Sequence, residues 1–383
     1  MEPPALRITP PDFLRSAAIA PILAALPDAR VVGGAVRDTL AGLTPGDIDL
    51  ATAAPPAAVM AALASAGLRA LPTGLAHGTV TALSGGRHFE ITTLRRDVAT
   101  DGRHAEVAFT DDWREDAARR DFTINAMSLG RDGAVFDYFA GLADLRAGRV
   151  RFVGRAAQRI AEDRLRILRF FRFHARFGRG PAERATMAAI RADRAGLAAL
   201  SGERVRQELF ALLALPDPTA SIAAMARAGL FAVLFAVPEK GSPAAAPEGA
   251  AHVHPARLAR LIAAGAPADP LLRLAALMAG TAPERLVRRL RLSSAEAAYL
   301  AALCVAAPAT PKHDAALRRA LAEAPAELLI ARSFLAEAGG RKGDFAALRA
   351  RIAAMPRSVF PLRGADALAS GIPPGPALGA LLE

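Results

Sequence analysis

Cysteine is almost absent from this sequence: Cys304 is the single one among 383 residues, so no intramolecular disulfide can form and a reducing, cytoplasmic setting is expected. Long apolar runs are missing too. Charged residues or Pro interrupt every Ala/Leu-rich stretch before the roughly 20 residues that a membrane-spanning helix needs, so no membrane association is expected. The chain opens on Met-Glu-Pro-Pro, without the basic and then apolar pattern of a secretory leader. No internal repeat stands out. Acid is in deficit, with Asp+Glu at 37 against Lys+Arg at 48, which leaves a formal charge of +11 and a pI near 11.0. That balance favours a polyanionic partner such as nucleic acid over an acidic protein surface, although a composition biased to Ala, Arg and Pro contributes to it.

What is present is enough apolar residue, 52%, to bury a sizeable core in two or three domains. The first part mixes short β-prone runs (Val31-Val32, Asp47 to Leu50, Thr79 to Leu83, Phe89 to Leu94) with an amphipathic stretch from Asp12 to Leu26 and a helix at Ala57 to Ala66. From about Arg155 onward, Ala, Leu, Arg and Glu recur at helical spacing, broken at Gly178, Pro181, Pro216, Pro238 and Pro311. Pro238 to Pro247 reads as a linker or exposed loop.

The chemistry concentrates in five stretches. In VVGGAVRD, Val31 to Asp38, an apolar strand runs into Gly33-Gly34 and then a helix. Glycine lets backbone N–H groups approach phosphate oxygens, and the start of the helix adds partial positive charge. Asp47 and Asp49 follow two residues apart, where a strand would project both to one face; a divalent cation would relieve their repulsion, and a solvated acidic turn is the alternative. Glu90 faces away from Phe89 and Ile91, and it is either a third carboxylate for that cation or the partner of a nearby Arg. RRDFTINA begins at Arg119, and EDRLRILRFFRF begins at Glu162. Read as one helix, the latter sets Asp163, Arg166 and Arg169 on one arc and Ile167, Leu168 and Phe171 on another, with Asp163 and Arg166 able to pair at i,i+3. The fifth is GERVRQEL, from Gly202, whose Arg204 and Glu208 can pair with each other or brace the preceding basic helix. Arg151 to Arg179 holds nine arginines, interleaved with phenylalanines expected mostly in the core.

These five motifs, in this order over roughly residues 28 to 210, resemble the class II CCA-adding tRNA nucleotidyltransferases and the bacterial poly(A) polymerases. The resemblance implies an α+β fold: a polymerase-β-like nucleotidyltransferase (palm) domain with a small sheet and helices at 1–153, a helical neck at 154–215, and an all-α body and tail at 216–383. It also implies Mg2+ on Asp47 and Asp49, with Glu90 as the further catalytic carboxylate. Gly33, Gly34 and Arg37 would meet the triphosphate, Arg120 and Asp121 the ribose, and Asp163 and Arg166 the base, with Arg169 and Arg172 completing the nucleotide-binding helix. CTP, ATP and the tRNA 3′ end would be the substrates, and no stable protein partner is expected. A carboxylate beside a guanidinium matches the donor and acceptor edge shared by C and A and opposes that of U and G.

His77 to Thr81 reads HGTVT, as is common in the CCA branch, and the Gly-Arg-Arg-Phe pattern of the poly(A) branch is missing. Asp97 to Asp112 resembles the flexible loop of enzymes that add A as well as C. A poly(A) polymerase and a non-catalytic RNA-binding relative are the alternatives, the second weakened by the intact carboxylates and arginines. His252, His254 and Lys312-His313-Asp314 lack the spacing of further metal ligands, so no phosphohydrolase domain is expected.

Overall fold

The computed structural model describes residues 3–100, 105–236, 253–305, 314–355, 368–371 and 375, with the side chains of 97–107 excluded. The chain divides into two compact units, Met1–Ala250 and Ala251–Glu383. The proposed linker at Pro238 to Pro247 lies outside the described residues, as do His252, Lys312 and His313.

Among the described residues the first unit has ten strands: β1 Leu6–Arg7, β2 Arg30–Val32, β3 Asp49–Thr52, β4 Arg69–Gly74, β5 Thr79–Ser84, β6 Arg87–Thr93, β7 Arg95–Thr100, β8 Ala105–Phe109, β9 Met127–Leu129 and β10 Ala134–Asp137. Eight form one sheet in the order β1-β10-β9-β2-β3-β6-β5-β4, while β7 and β8 form a separate hairpin. The tip of that hairpin, within the loop expected from Asp97 to Asp112, lies outside the described residues. All described pairings are antiparallel except β3 with β6. The helices α1 Ala20–Ala25, α2 Gly34–Leu40 and α3 Pro56–Ser65 supply Ile22, Val36, Val59 and Leu63 to a core shared with Val31, Leu50, Val80, Phe89 and Ile91 of the sheet. Because side chains alternate along a strand, the residues between these point to the opposite face, where Val32 and Ala51 pack with Leu94 and Trp113. The amphipathic stretch from Asp12 is not one helix: a 3₁₀ turn, Asp12–Arg15, precedes α1.

Helices then take over: α4 Trp113–Ala118, α5 Gly141–Ala147, α6 Ala156–Glu162, α7 Leu165–Phe177, α8 Arg184–Asp193, α9 Gly202–Leu213, α10 Thr219–Arg227 and α11 Leu230–Leu234. The aromatics of α7 are core, as expected. Phe170 and Phe173 pack on Phe122, which also meets Phe152 at 4.9 Å between ring centroids, and this cluster joins the sheet domain to α7.

The second unit is helical: α12 Pro255–Ala263, α13 Pro270–Leu277, α14 Pro283–Leu290, α15 Ser294–Cys304, α16 Asp314–Glu323, α17 Ala326–Ala338 and α18 Phe345–Ala354. Three begin on Pro, whose missing N–H costs nothing in the first turn, and α15 begins with a capping box between Ser293 and Glu296. Among the described residues no helix is long and apolar enough to cross a membrane.

Candidate active site

The face of the sheet opposite the core gathers carboxylates. Strand β3 pairs with β2 at Val32↔Asp49 and runs parallel to β6 at Leu50↔Ile91. One residue back along that parallel register sets Glu90 beside Asp49, and alternation exposes both while Leu50 and Ile91 are buried. Asp47 departs from expectation. Strand β3 starts at Asp49, so Asp47 lies in the bend it makes with Gly46 before the strand, not on it. It remains an electrostatic neighbour: although Asp49 is surface-exposed, the protein around it partly desolvates its carboxyl and pushes it above the usual range, Glu90 and then Asp47 add repulsion, and Arg120 opposes them.

Gly33 joins β2 to α2 with φ of +69°, a region that favours glycine, and a Cβ there would meet Arg120 Nη1 at 3.1 Å. Arg120 therefore lies against the glycine turn and within electrostatic range of Asp49. Asp116, buried on α4, holds it: Oδ2 accepts from Arg120 Nη2 at 3.1 Å while Oδ1 accepts from Arg119 Nε at 2.8 Å. The Asp116 carboxyl is strongly desolvated, yet the two guanidiniums outweigh burial and hold it below its usual range. The sequence reading missed Asp116, although its i,i+3 and i,i+4 spacing to the two arginines was a usable signal.

Arg37 and Gly34 separate. Gly34 opens α2, whereas the Arg37 side chain is buried, its fork donating to Asp38 Oδ1 at 2.8 and 2.9 Å and to Asn125 Oδ1 at 2.6 Å. It also lies over the rings of Phe173 and Phe177. Burial pulls its pKa down and Asp38 counters that. Asp121 is equally committed. Its Oδ1 accepts from the Phe122 backbone and Asn125 Nδ2, and its Oδ2 accepts from Arg169 Nε at 2.8 Å and Nη2 at 2.6 Å. Asn125, inside RRDFTINA, thus links Arg37 to Asp121, a role no sequence signal had suggested.

The base-reading pair is where the structure corrects the sequence most. Asp163 is not on the helix with Arg166: it ends α6 at φ −152°, and Arg164 caps α7. Nor do the two pair. Asp163 Oδ2 accepts from Arg204 Nη2 at 2.7 Å, while Arg166 Nη1 donates to Glu162 at 2.5 Å and Nη2 to the Arg119 carbonyl at 3.3 Å. Arg204 and Glu208 brace rather than pair with each other, since Glu208 accepts from Arg172 Nε at 2.6 Å and from Arg169 Nη1 at 3.4 Å.

Among the described residues no three His, Cys, Asp or Glu side chains close into a metal cage. The donor set nevertheless fits a hard cation. Mg2+ is commonly held by one or two carboxylates and leaves its other positions to phosphate oxygens and water, and Asp49 is destabilised as a carboxylate by partial desolvation and its acidic neighbours.

A mixed sheet with carboxylates clustered on one face, a glycine turn into a helix and arginine-rich helices packed on it define a nucleotidyltransferase-type head followed by helices. Residues 29–151 match the poly A polymerase head domain, and residues 182–240 match a probable RNA and SrmB-binding site of polymerase A. Over these two segments the chain is similar to the CCA-adding and poly(A) polymerase family, and its fold is that of a solved CCA-adding enzyme. It is 54% identical over 187 residues to the mitochondrial CCA tRNA nucleotidyltransferase 1 of Mus musculus, covering 48% of this chain and 43% of that protein. With the CCA-adding enzyme of Lacticaseibacillus paracasei it shares 40% over 237 residues, 59% of this chain and 56% of that protein. The chain thus spans about half the length of these relatives. The crystal structure of the Bacillus stearothermophilus CCA-adding enzyme in complex with CTP superposes with a TM-score of 0.72 at 28% identity, over 94% of this chain and 89% of that one.

Proposed function

We propose that this chain adds C, C and A to the 3′ end of tRNA from CTP and ATP, releasing pyrophosphate. The observation that carries the reading is the row formed by Glu90, Asp49 and the β2–α2 glycine turn, with Arg120 between turn and carboxylate. A relative of similar fold is solved with CTP, which supports the choice of substrate. Asp47 and Asp49 would hold Mg2+, which when bound activates the RNA 3′-hydroxyl and steadies the leaving pyrophosphate. Glu90 adds negative potential beside them. Gly34 at the start of α2 offers its backbone N–H to the triphosphate, with Gly33, whose own N–H donates to the Met127 carbonyl at 3.4 Å, making the turn that lets phosphate approach, and Arg120, fixed by Asp116, supplies positive charge there. Arg37 and Asp121 act from beneath: their buried bonds fix the glycine turn and the RRDFTINA segment against α7. We assign 1–153, 154–215 and 216–383 to catalytic head, neck and tRNA-holding body. Cytoplasmic residence belongs to the same reading and rests on the lone cysteine.

The deciding experiment incubates purified protein with tRNA lacking its 3′ CCA and with all four nucleotides. Addition of three residues and then arrest is expected. Long A tails would assign the poly(A) branch, and products ending in CC would overturn complete CCA addition.

Base choice falls to Asp163 and Arg166, each oriented by a separate brace, Arg204 and Glu162. A carboxylate oxygen retains a lone pair beyond its bond to Arg204, so Asp163 still has acceptor capacity. Asp163→Ala is expected to lower the CTP-to-UTP incorporation ratio by about 10-fold to 100-fold, the equivalent of losing one polar match worth about 1–3 kcal/mol. An unchanged ratio in a folded variant would assign Asp163 a purely structural role. Arg204→Ala should lower the same ratio less, by loosening the brace.

A further inference from the structure

Helix α7 has a second face. Opposite Arg169, Arg172 and Arg176 it carries Phe171, His174 and Ala175, a stripe at i, i+3, i+4 that Gly178 continues beyond the helix end. Between this stripe, α8 and α10 lies a cavity of about 480 Å³. Much of its lining is apolar, from Phe171, Met187 and Ala224.

Three polar features interrupt that lining. Ser221 lines the cavity, is 2% exposed, and its buried Oγ has no hydrogen-bond partner, an arrangement that is costly unless something else bonds it. The His174 ring is half-buried. Burial lowers its pKa, opposed by a hydrogen bond with the Gly180 backbone, which favours the uncharged imidazole. At the mouth stand the exposed Arg191 and Arg227, for which no carboxylate partner is found among the described residues, with Asp217 as the one acid of the lining. An apolar slot, a buried hydroxyl and two guanidiniums at the entrance together suit a flat heterocycle carrying a phosphate.

We propose that this cavity is a second nucleotide-binding site, separate from the Asp49 carboxylates, which takes a nucleoside monophosphate unit with its base against Phe171 and Met187, its polar edge toward Ser221 and His174, and its phosphate at Arg191 and Arg227. The unit is either a free nucleotide or one residue of an RNA chain; the chemistry is shared. A ligand there bears on α7 from behind, while the other face of α7 holds Asp121 and Glu208 through Arg169.

The test uses the full chain without acceptor RNA, so that no nucleotide is consumed. The protein is saturated with CTP and magnesium and titrated calorimetrically with AMP. One further AMP per chain is expected. Arg191→Glu/Arg227→Glu should weaken that event by about tenfold or more, since it replaces charge-assisted phosphate contacts with repulsion. Both residues are exposed, so the melting temperature should hold. Ala224→Trp, which fills the slot, should abolish the event, and Ser221→Ala should weaken it several-fold. Asp49→Asn should leave it intact, which separates failure of this site from failure of the proposed reaction. A five-nucleotide single-stranded RNA that binds more tightly than AMP assigns the RNA chain as the source, and weaker binding assigns the free nucleotide. No further AMP event in the wild type, or one that survives both the double charge reversal and Ala224→Trp, overturns the proposal.

Discussion

Asp49→Asn is expected to lower nucleotide incorporation on the order of a thousandfold or more while leaving the protein as stable as before, or slightly more so. The loss follows from the reaction. Holding the cation on the reacting phosphate is worth several kcal/mol of transition-state charge stabilisation, and each ~1.4 kcal/mol is tenfold in rate. The unchanged stability follows from the site. Partial desolvation, then Glu90 and Asp47, push the Asp49 carboxyl up against the opposing Arg120, so its ionised form is less favourable in the folded chain than in the unfolded one. A raised folded-state pKa means that the native protein holds its proton to higher pH than the unfolded chain does, so stability falls as pH rises through that value. Asparagine keeps the size and removes the charge. Added magnesium should raise the melting temperature of the wild type by binding the native state and should have a smaller effect on Asp49→Asn. Filter binding of tRNA should be nearly the same for both. Turnover near the wild-type rate would remove Asp49 from the reaction, and a fall of many degrees in melting temperature would make it structural instead.

What the sequence allowed one to see depended on how local the determinants were. The helix expected at Ala57 to Ala66 is α3, Pro56–Ser65, because apolar spacing and Pro at its start are local signals. Glu90 could be placed on the exposed face of a strand from alternation alone. The edge of the sheet could not be read, since β1, β9 and β10 are two, three and four residues long, too short for alternation to register. Arg37 illustrates a nonlocal cause: the rings of Phe173 and Phe177 that cover it come from α7, and nothing near Arg37 indicates that its fork is spent on Asp38 and Asn125. The helical arc drawn for Asp163 failed for a local reason. Aspartate competes for backbone N–H groups, and Asp163 Oδ1 accepts from Leu165 N at 3.1 Å, which ends one helix and starts the next. Separate helices then allow Arg204 and Glu162 to orient Asp163 and Arg166 independently, which a salt bridge between the two would prevent.

Asp121→Ala is expected to destabilise the folded chain by about 3–5 kcal/mol, enough to lower the melting temperature by about 6–20 °C for a unit of this size. The carboxylate is almost fully buried and accepts four hydrogen bonds, two of them from Arg169. Removing it orphans the Asn125 amide and leaves Arg169 with only the longer contact to Glu208 at 3.4 Å. The damage should spread, because Asn125 also accepts from Arg37 and Glu208 also accepts from Arg172, so a single chain of bonds runs from the glycine-turn helix α2 to the bracing helix α9. Burial alone would raise the Asp121 pKa, but the Arg169 charge and the hydrogen bonds overcome it and hold the carboxyl below its usual range. The sign of the pH dependence follows: this contribution is fully present above the ordinary carboxylate pKa and is lost as pH falls through the depressed folded value. Wild-type stability measured by urea unfolding should therefore drop more steeply toward acid than that of Asp121→Ala. Pairing the substitution with Arg169→Leu should recover part of the loss, because the second change removes the stranded charge. If Asp121 served nucleotide binding alone, melting would change by no more than a degree or two and only the KM for CTP and ATP would rise, an outcome that would dissolve the network as the link between head and neck.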